Sequence, residues 1–274
     1  MLKRIMSAGI LIIFMASVAL LSLKLTLFID LFVSVICAAA VFEFCKAVKT
    51  LGVFQISVLS IAYAFVLPLT LTYGISVTVS YAYTTLMLAM LIFFHEKISF
   101  KDFAYTYSMT LIITVSMSLI VLMTSMHSDY STMYFIMSIA IPWLADVGAY
   151  FTGVFFGKHK LCPKISPKKT IEGAIGGVLF CTITSVIMGF LFNIVFYSNS
   201  LNINYTVLAI IGVIGSFLSM LGDLSFSVIK RSYFVKDYGD VIPGHGGILD
   251  RFDSVICFVP FMYIITMYFP VVIK

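Results

Sequence analysis

Two aspartates stand where a carboxylate is costly. Asp146 follows Ile141-Pro142-Trp143-Leu144-Ala145 inside an apolar stretch, and Asp223 lies near the inner end of another. An ionisable group within a spanning helix costs at least about 2.5–3.5 kcal/mol on insertion scales, so it is a functional candidate by default. Asp146, Ala149, Tyr150, Gly153 and Gly157 recur at i+3/i+4, on one helix face. Gly212, Gly215, Ser216, Ser219, Gly222 and Asp223 repeat the pattern. Small residues let neighbouring helix backbones approach closely, so both carboxylates are expected to face protein. The plainer alternative is a structural carboxylate paired with a buried Lys or Arg.

The remaining polar chemistry sits in two segments. Residues 157–173 carry Lys158, Lys160, Lys164, Lys168 and Lys169, with Ser166-Pro167 and Thr170 around the last pair. A basic loop is often only a topology determinant. This one precedes a helix start, where free N–H groups also favour an anion. Residues 230–253 mix Lys230, Arg231, Lys236, His245 and Arg251 with Asp237, Asp240, Asp250 and Asp253. Pro243-Gly244-His245-Gly246-Gly247 is a turn that can aim backbone N–H groups at phosphate oxygens, although it is no Walker A loop. Asp223, Asp250 and Asp253 are hard oxygen donors suited to Mg²⁺, which keeps waters and substrate phosphates in its shell. Carboxylates for Mg²⁺ beside cations for phosphates are the parts for phosphoryl or nucleotidyl transfer. No Ser-His-Asp or Cys-His arrangement stands out, so no covalent intermediate is implied.

These residues must be positioned by membrane helices. Of 274 residues, 61% are hydrophobic and 11% charged, against roughly 25% charged in soluble domains. A mean hydropathy of +1.11 agrees. A soluble globule, a disordered chain and a nucleic-acid binder are excluded. A span needs about 20 apolar residues, and about nine segments qualify. They are residues 5–22, 27–44, 51–70, 76–94, 105–125, 133–156, 171–196, 205–229 and 254–271. The expectation is an all-α polytopic helical bundle, a single integral-membrane domain over 1–274. Residues 1–132 form its N-terminal span set, and 133–274 its catalytic set with loops 157–170 and 230–253. With the N-terminus cytoplasmic, all of the 17 Lys and Arg except Lys24 and Lys274 lie inside. The formal charge of +5 is therefore a topological asymmetry. Two spans separate the polar segments, so both lie on the cytoplasmic side.

Elsewhere the sequence is bland. Residues 1–22 have a signal-peptide look, but apolar sequence resumes after Lys24, favouring a retained first span. Asp30 and Glu43 fall near span ends, where interfacial solvation makes a carboxylate tolerable. His95, His127 and Asp129 lie at span ends or in a short outer loop. The five cysteines show no metal spacing.

Ser227-Val228-Ile229-Lys230-Arg231, Lys236-Asp237 and Pro243-Gly244-His245-Gly246-Gly247-Ile248-Leu249-Asp250-Arg251-Phe252-Asp253 closely resemble the signature of the phosphatidate cytidylyltransferase (CDP-diacylglycerol synthase) family, bacterial type. Gly157-Lys158-His159-Lys160 and Ser166-Pro167-Lys168-Lys169-Thr170-Ile171-Glu172-Gly173 resemble its other motif. The likeness covers residues 135–260 well, and the N-terminal half only in length and hydropathy. It implies that CTP and phosphatidate give CDP-diacylglycerol and pyrophosphate, with Mg²⁺, at the cytoplasmic face of a bacterial inner membrane. It implies metal binding by Asp223 and Asp250, with Asp146 and Asp253 as further candidates for one or two ions. Lys230, Arg231 and His245 are the other catalytic candidates. Ser166, Lys168, Lys169, Thr170, Lys236, Gly246, Gly247 and Arg251 are the substrate-binding ones. Lys168 and Lys169 are expected on the triphosphate, and Lys230 and Arg231 on the lipid phosphate. The family also suggests a homodimer. Two positions depart from it: Phe226 stands where Glu is usual, and Val147 where Thr is common. A different class, a secondary transporter with Asp146 and Asp223 as ion sites, would call for paired helix interruptions in both halves. The polar features occupy only the second half.

Overall fold

The structure is a computed structural model, and it describes residues 17–21, 27–48, 50, 54–240 and 246–273. The helices are α1 (Leu27–Ala47), α2 (Phe54–Thr70), α3 (Ser76–Phe93), α4 (Phe100–Met126), α5 (Ser131–Phe156), α6 (Ile171–Tyr197), α7 (Tyr205–Ser232) and α8 (Leu249–Tyr268). All but α2 are long and apolar enough to cross a membrane, and α2 is a shorter apolar helix of 17 residues. These eight fall on the second to ninth expected spans. The first expected span, 5–22, lies outside the described residues except for helical residues 17–21. Two short antiparallel pairs complete the elements: β1 (Lys160–Cys162) with β2 (Ser166–Thr170), and β3 (Asn202–Ile203) with β4 (Val272–Ile273). An all-α architecture stands, because in hydrocarbon a helix satisfies its own backbone amides.

The chain divides into two compact units, Met1–Thr132 with Ser232–Phe252, and Met133–Arg231 with Asp253–Lys274. The second polar segment is divided between them: residues 232–252 belong to the N-terminal unit, and Lys230, Arg231 and Asp253 to the other.

In the first unit α1 packs on α2 and α4, and α2 also on α3. Tyr63 and Tyr83 stack at 4.1 Å between ring centroids. Ser60 shares a 3.0 Å hydrogen bond with the Tyr83 hydroxyl, and Ser80 a 3.1 Å bond with that of Tyr63. Ser99 caps α4, accepting from the Asp102 N–H and donating back to its carboxylate. Ser232–Phe252 is held to this unit by Tyr233, edge-on to Tyr105, and by Tyr238 against Phe44.

In the second unit α5, α6, α7 and α8 meet through small residues, as the sequence pattern predicts. A Cβ on Gly177 would lie 3.0 Å from Ala149 Cβ, and one on Gly212 only 2.5 Å from Thr182 Cα. Gly215 lies under the Phe258 ring, and Gly222 faces the Asp253 carbonyl and Ser254. Tyr150 departs from the pattern and is exposed. Its ring is too large for the close approach its small neighbours make.

Candidate active site

Both carboxylates that the apolar stretches carry are brought to one region of the second unit. Ser219 donates to the carbonyl of Pro142 at 3.3 Å, fastening α7 to α5. One helical turn beyond these partners stand Asp223 and Asp146, each four residues on and hence on the same faces. Asp253 in α8 lies within electrostatic reach of both, and of Lys230. The Lys230 ammonium is 3.8 Å from Asp253 Oδ2, and both residues are buried. Lys169, at the end of β2, forms an ion pair with Asp223. Three carboxylates and two lysines therefore collect from α5, β2, α7 and α8.

The hairpin explains how Lys169 arrives there. Lys160 is paired with Thr170 and Cys162 with Ser166, while the Ile165 N–H bonds the Cys162 carbonyl across the turn. Successive strand residues point to opposite faces, so Lys169 is half-buried toward Asp223 and Lys168 is exposed. The two lysines expected to grip one triphosphate are thus divided. Thr170 caps α6 by accepting from the Gly173 N–H at 3.1 Å. The Ile171 N–H bonds the His159 carbonyl, so the open anion site expected at this helix start is already partly used. Glu172 accepts from the N–H groups of Lys158 and His159 and pairs with the His159 ring at 2.6 Å.

In the first unit, Asp250 and Arg251 were expected in a loop but stand in the first turn of α8. Asp250 Oδ2 accepts from the N–H groups of Tyr238 at 2.8 Å and Gly247 at 3.0 Å. The Ile248 and Leu249 N–H groups donate to the two oxygens of Glu43, at 2.9 and 2.8 Å. The helix starts early because carboxylates satisfy its leading donors. The Gly247 N–H, expected to face phosphate, donates here to Asp250. Gly246 has φ +85°, a conformation that favours glycine. Glu43 is also a correction: it is 1% exposed, not solvated at a span end. Asp30 is buried too. The rule that singled out Asp146, a carboxylate in an apolar run, would have found Glu43.

Arg231 and Lys236 are exposed, Ser166 is half-buried, and His245 lies outside the described residues. Phe226 is buried in the second unit, so the position carries an apolar ring in place of a carboxylate. Among the described residues no three His, Cys, Asp or Glu side chains form a ready cage for a metal ion. Mg²⁺ needs no such cage, since it binds through one or two carboxylates and completes its shell with phosphates and water. The donors fit it: hard oxygens in excess over the lysines facing them.

A family model described as the Cytidylyltransferase family matches residues 2–269. The chain is 44% identical over 132 residues to a phosphatidate cytidylyltransferase of Staphylococcus haemolyticus, covering 48% of this chain and 48% of that protein. Its identity to the Bacillus subtilis phosphatidate cytidylyltransferase is 43% over 141 residues, 52% of this chain and 50% of the relative. For that of Haemophilus influenzae it is 46% over 138 residues, 49% and 46%. In each case the chain spans about half the length of the curated relative it matches.

Proposed function

The chain belongs to the cytidylyltransferase family, and from that premise we propose that it joins CTP to phosphatidate, giving CDP-diacylglycerol and pyrophosphate. The observation that carries this reading is the ion pair of Lys169 with Asp223. It unites a phosphate-binding cation and a metal-binding carboxylate from motifs 54 residues apart in sequence, beside Lys230 and Asp253. The relatives' printed names, phosphatidate cytidylyltransferase, supply the substrates.

In the proposed reaction a phosphate oxygen of phosphatidate attacks the α-phosphorus of CTP, the new P–O bond forms, and the bond to the β-phosphate breaks. Pyrophosphate leaves in line. The lipid phosphate is already ionised at neutral pH, so no general base is required, and His245 is assigned to orienting phosphate. Asp223 and Asp250 are each assigned as metal ligands, and Mg²⁺ when bound would neutralise charge on the attacking and leaving oxygens. Lys169 can exchange Asp223 for a CTP phosphate, since both are charge-assisted partners of similar geometry. Lys230 and Arg231, in the last turn of α7, are assigned to the lipid phosphate. The Lys/Arg asymmetry supports a cytoplasmic site on a bacterial inner membrane, where CTP is available and acyl chains remain in the bilayer.

The test is direct. Purified protein in phosphatidate-containing bilayers should convert labelled CTP into an organic-soluble CDP-lipid with Mg²⁺ present, and chelation should stop it. Absence of that product at saturating substrates would overturn the assignment.

A further inference from the structure

In the N-terminal unit, Glu43 is a buried carboxylate that the reaction above does not use. Glu43 lies in α1, 205 residues before its hydrogen-bond partner Ile248. Its two oxygens each take one N–H from the leading edge of α8. With Gly247 bonded to Asp250, three consecutive amides are held by two carboxylates. Glu43 is almost wholly buried, so these bonds are what make its charge tolerable.

Two glycines are fitted around it. A Cβ on Gly247 would come within 2.3 Å of Glu43 Oε2, and one on Gly239 within 2.6 Å of Oε1. Neither residue has a positive φ, so space around Glu43 accounts for the absence of a side chain. The carboxylate could yield to a methyl group only by leaving its amide partners.

We propose that Glu43 is a positioning residue: it fixes the Gly246-Gly247 turn and the start of α8, and so sets Asp250 for the reaction. The proposal deepens the cytidylyltransferase reading and rests on it for the rate effects. Through Glu43, a residue outside both polar segments, the N-terminal span set governs the geometry of a signature it does not contain.

Glu43→Gln keeps the size but leaves one oxygen to accept and an amide NH₂ facing the other donor. In purified protein it should lower kcat by about 10- to 100-fold, the usual cost of losing a partner that orients a ligand. KM for CTP should move much less. Gly247→Ala should reproduce the loss by displacing the carboxylate, and the double variant should be little worse than either single one. Hydrogen exchange gives a readout independent of activity: the 246–252 amides should lose protection in Glu43→Gln while α2 and α4 keep theirs. Wild-type kcat per folded molecule in Glu43→Gln, or multiplicative losses in the double variant, would overturn the proposal. If the wild type makes no CDP-lipid, the cytidylyltransferase reading fails alone. Unchanged exchange at 246–252 would then overturn the positioning role, and lost protection would uphold it.

Discussion

At the scale of single residues, the site is a set of charges that satisfy one another, and in the proposed reaction substrate replaces a partner. Asp223→Asn should lower turnover by about 100-fold or more, measured as CDP-lipid formed per inserted protein. Asp250→Asn should do the same with little loss of folding, because an amide oxygen can still accept from Tyr238 and Gly247. Near-normal rates in either would break the metal assignment. The two adjacent lysines should separate in the same assay. Lys169→Ala removes the proposed phosphate contact and leaves Asp223 without its Lys169 ion pair, whereas in Lys168→Ala one exposed, solvated charge is lost. The CTP KM should therefore rise more in Lys169→Ala than in Lys168→Ala. Equal effects would mean that both lysines hold the triphosphate.

At the scale of elements, close helix contact and helix capping set the positions. Gly212→Ala would press a methyl group on the backbone of Thr182, which no rotamer change can relieve. Overpacking of this kind costs about 1–3 kcal/mol. Gly74→Ala is a useful contrast. Gly74 has φ +72° with nothing within 4 Å, so only left-handed strain of about 1–2 kcal/mol applies. Thermal unfolding in detergent should rank Gly212→Ala below Gly74→Ala, and the reverse order would contradict the packing of α6 on α7. Thr170→Ala removes the cap of α6, and should cost about 1 kcal/mol in the same measurement.

For the whole molecule, the proposed topology has residues 157–170 and 230–253 on one membrane face by span parity, and that face cytoplasmic by the Lys/Arg asymmetry. Lys164→Cys and Lys236→Cys, each in a cysteine-free background, should both react with an impermeant thiol reagent in inside-out vesicles. In right-side-out vesicles both should be protected. Labelling of the two from opposite faces would break the topology.

The sequence by itself determined where helices lie and which residue types could do chemistry. Hydropathy reads length directly, so α1 to α8 were legible to within a few residues, apart from α4 and α8, which each start five residues early. Asp146 and Asp223 were legible because charge in apolar surroundings demands a reason, and Lys169 and Lys230 because they stand in the two polar segments. What only the tertiary structure decided is partnership. Periodicity assigns a residue to a face of its own helix, but a buried carboxylate is satisfied by whatever donors the fold delivers. Hence Lys169 was separated from Lys168, the Gly247 N–H was spent on Asp250, and Glu43, apparently a tolerated surface acid, became the cap of a helix about 200 residues away.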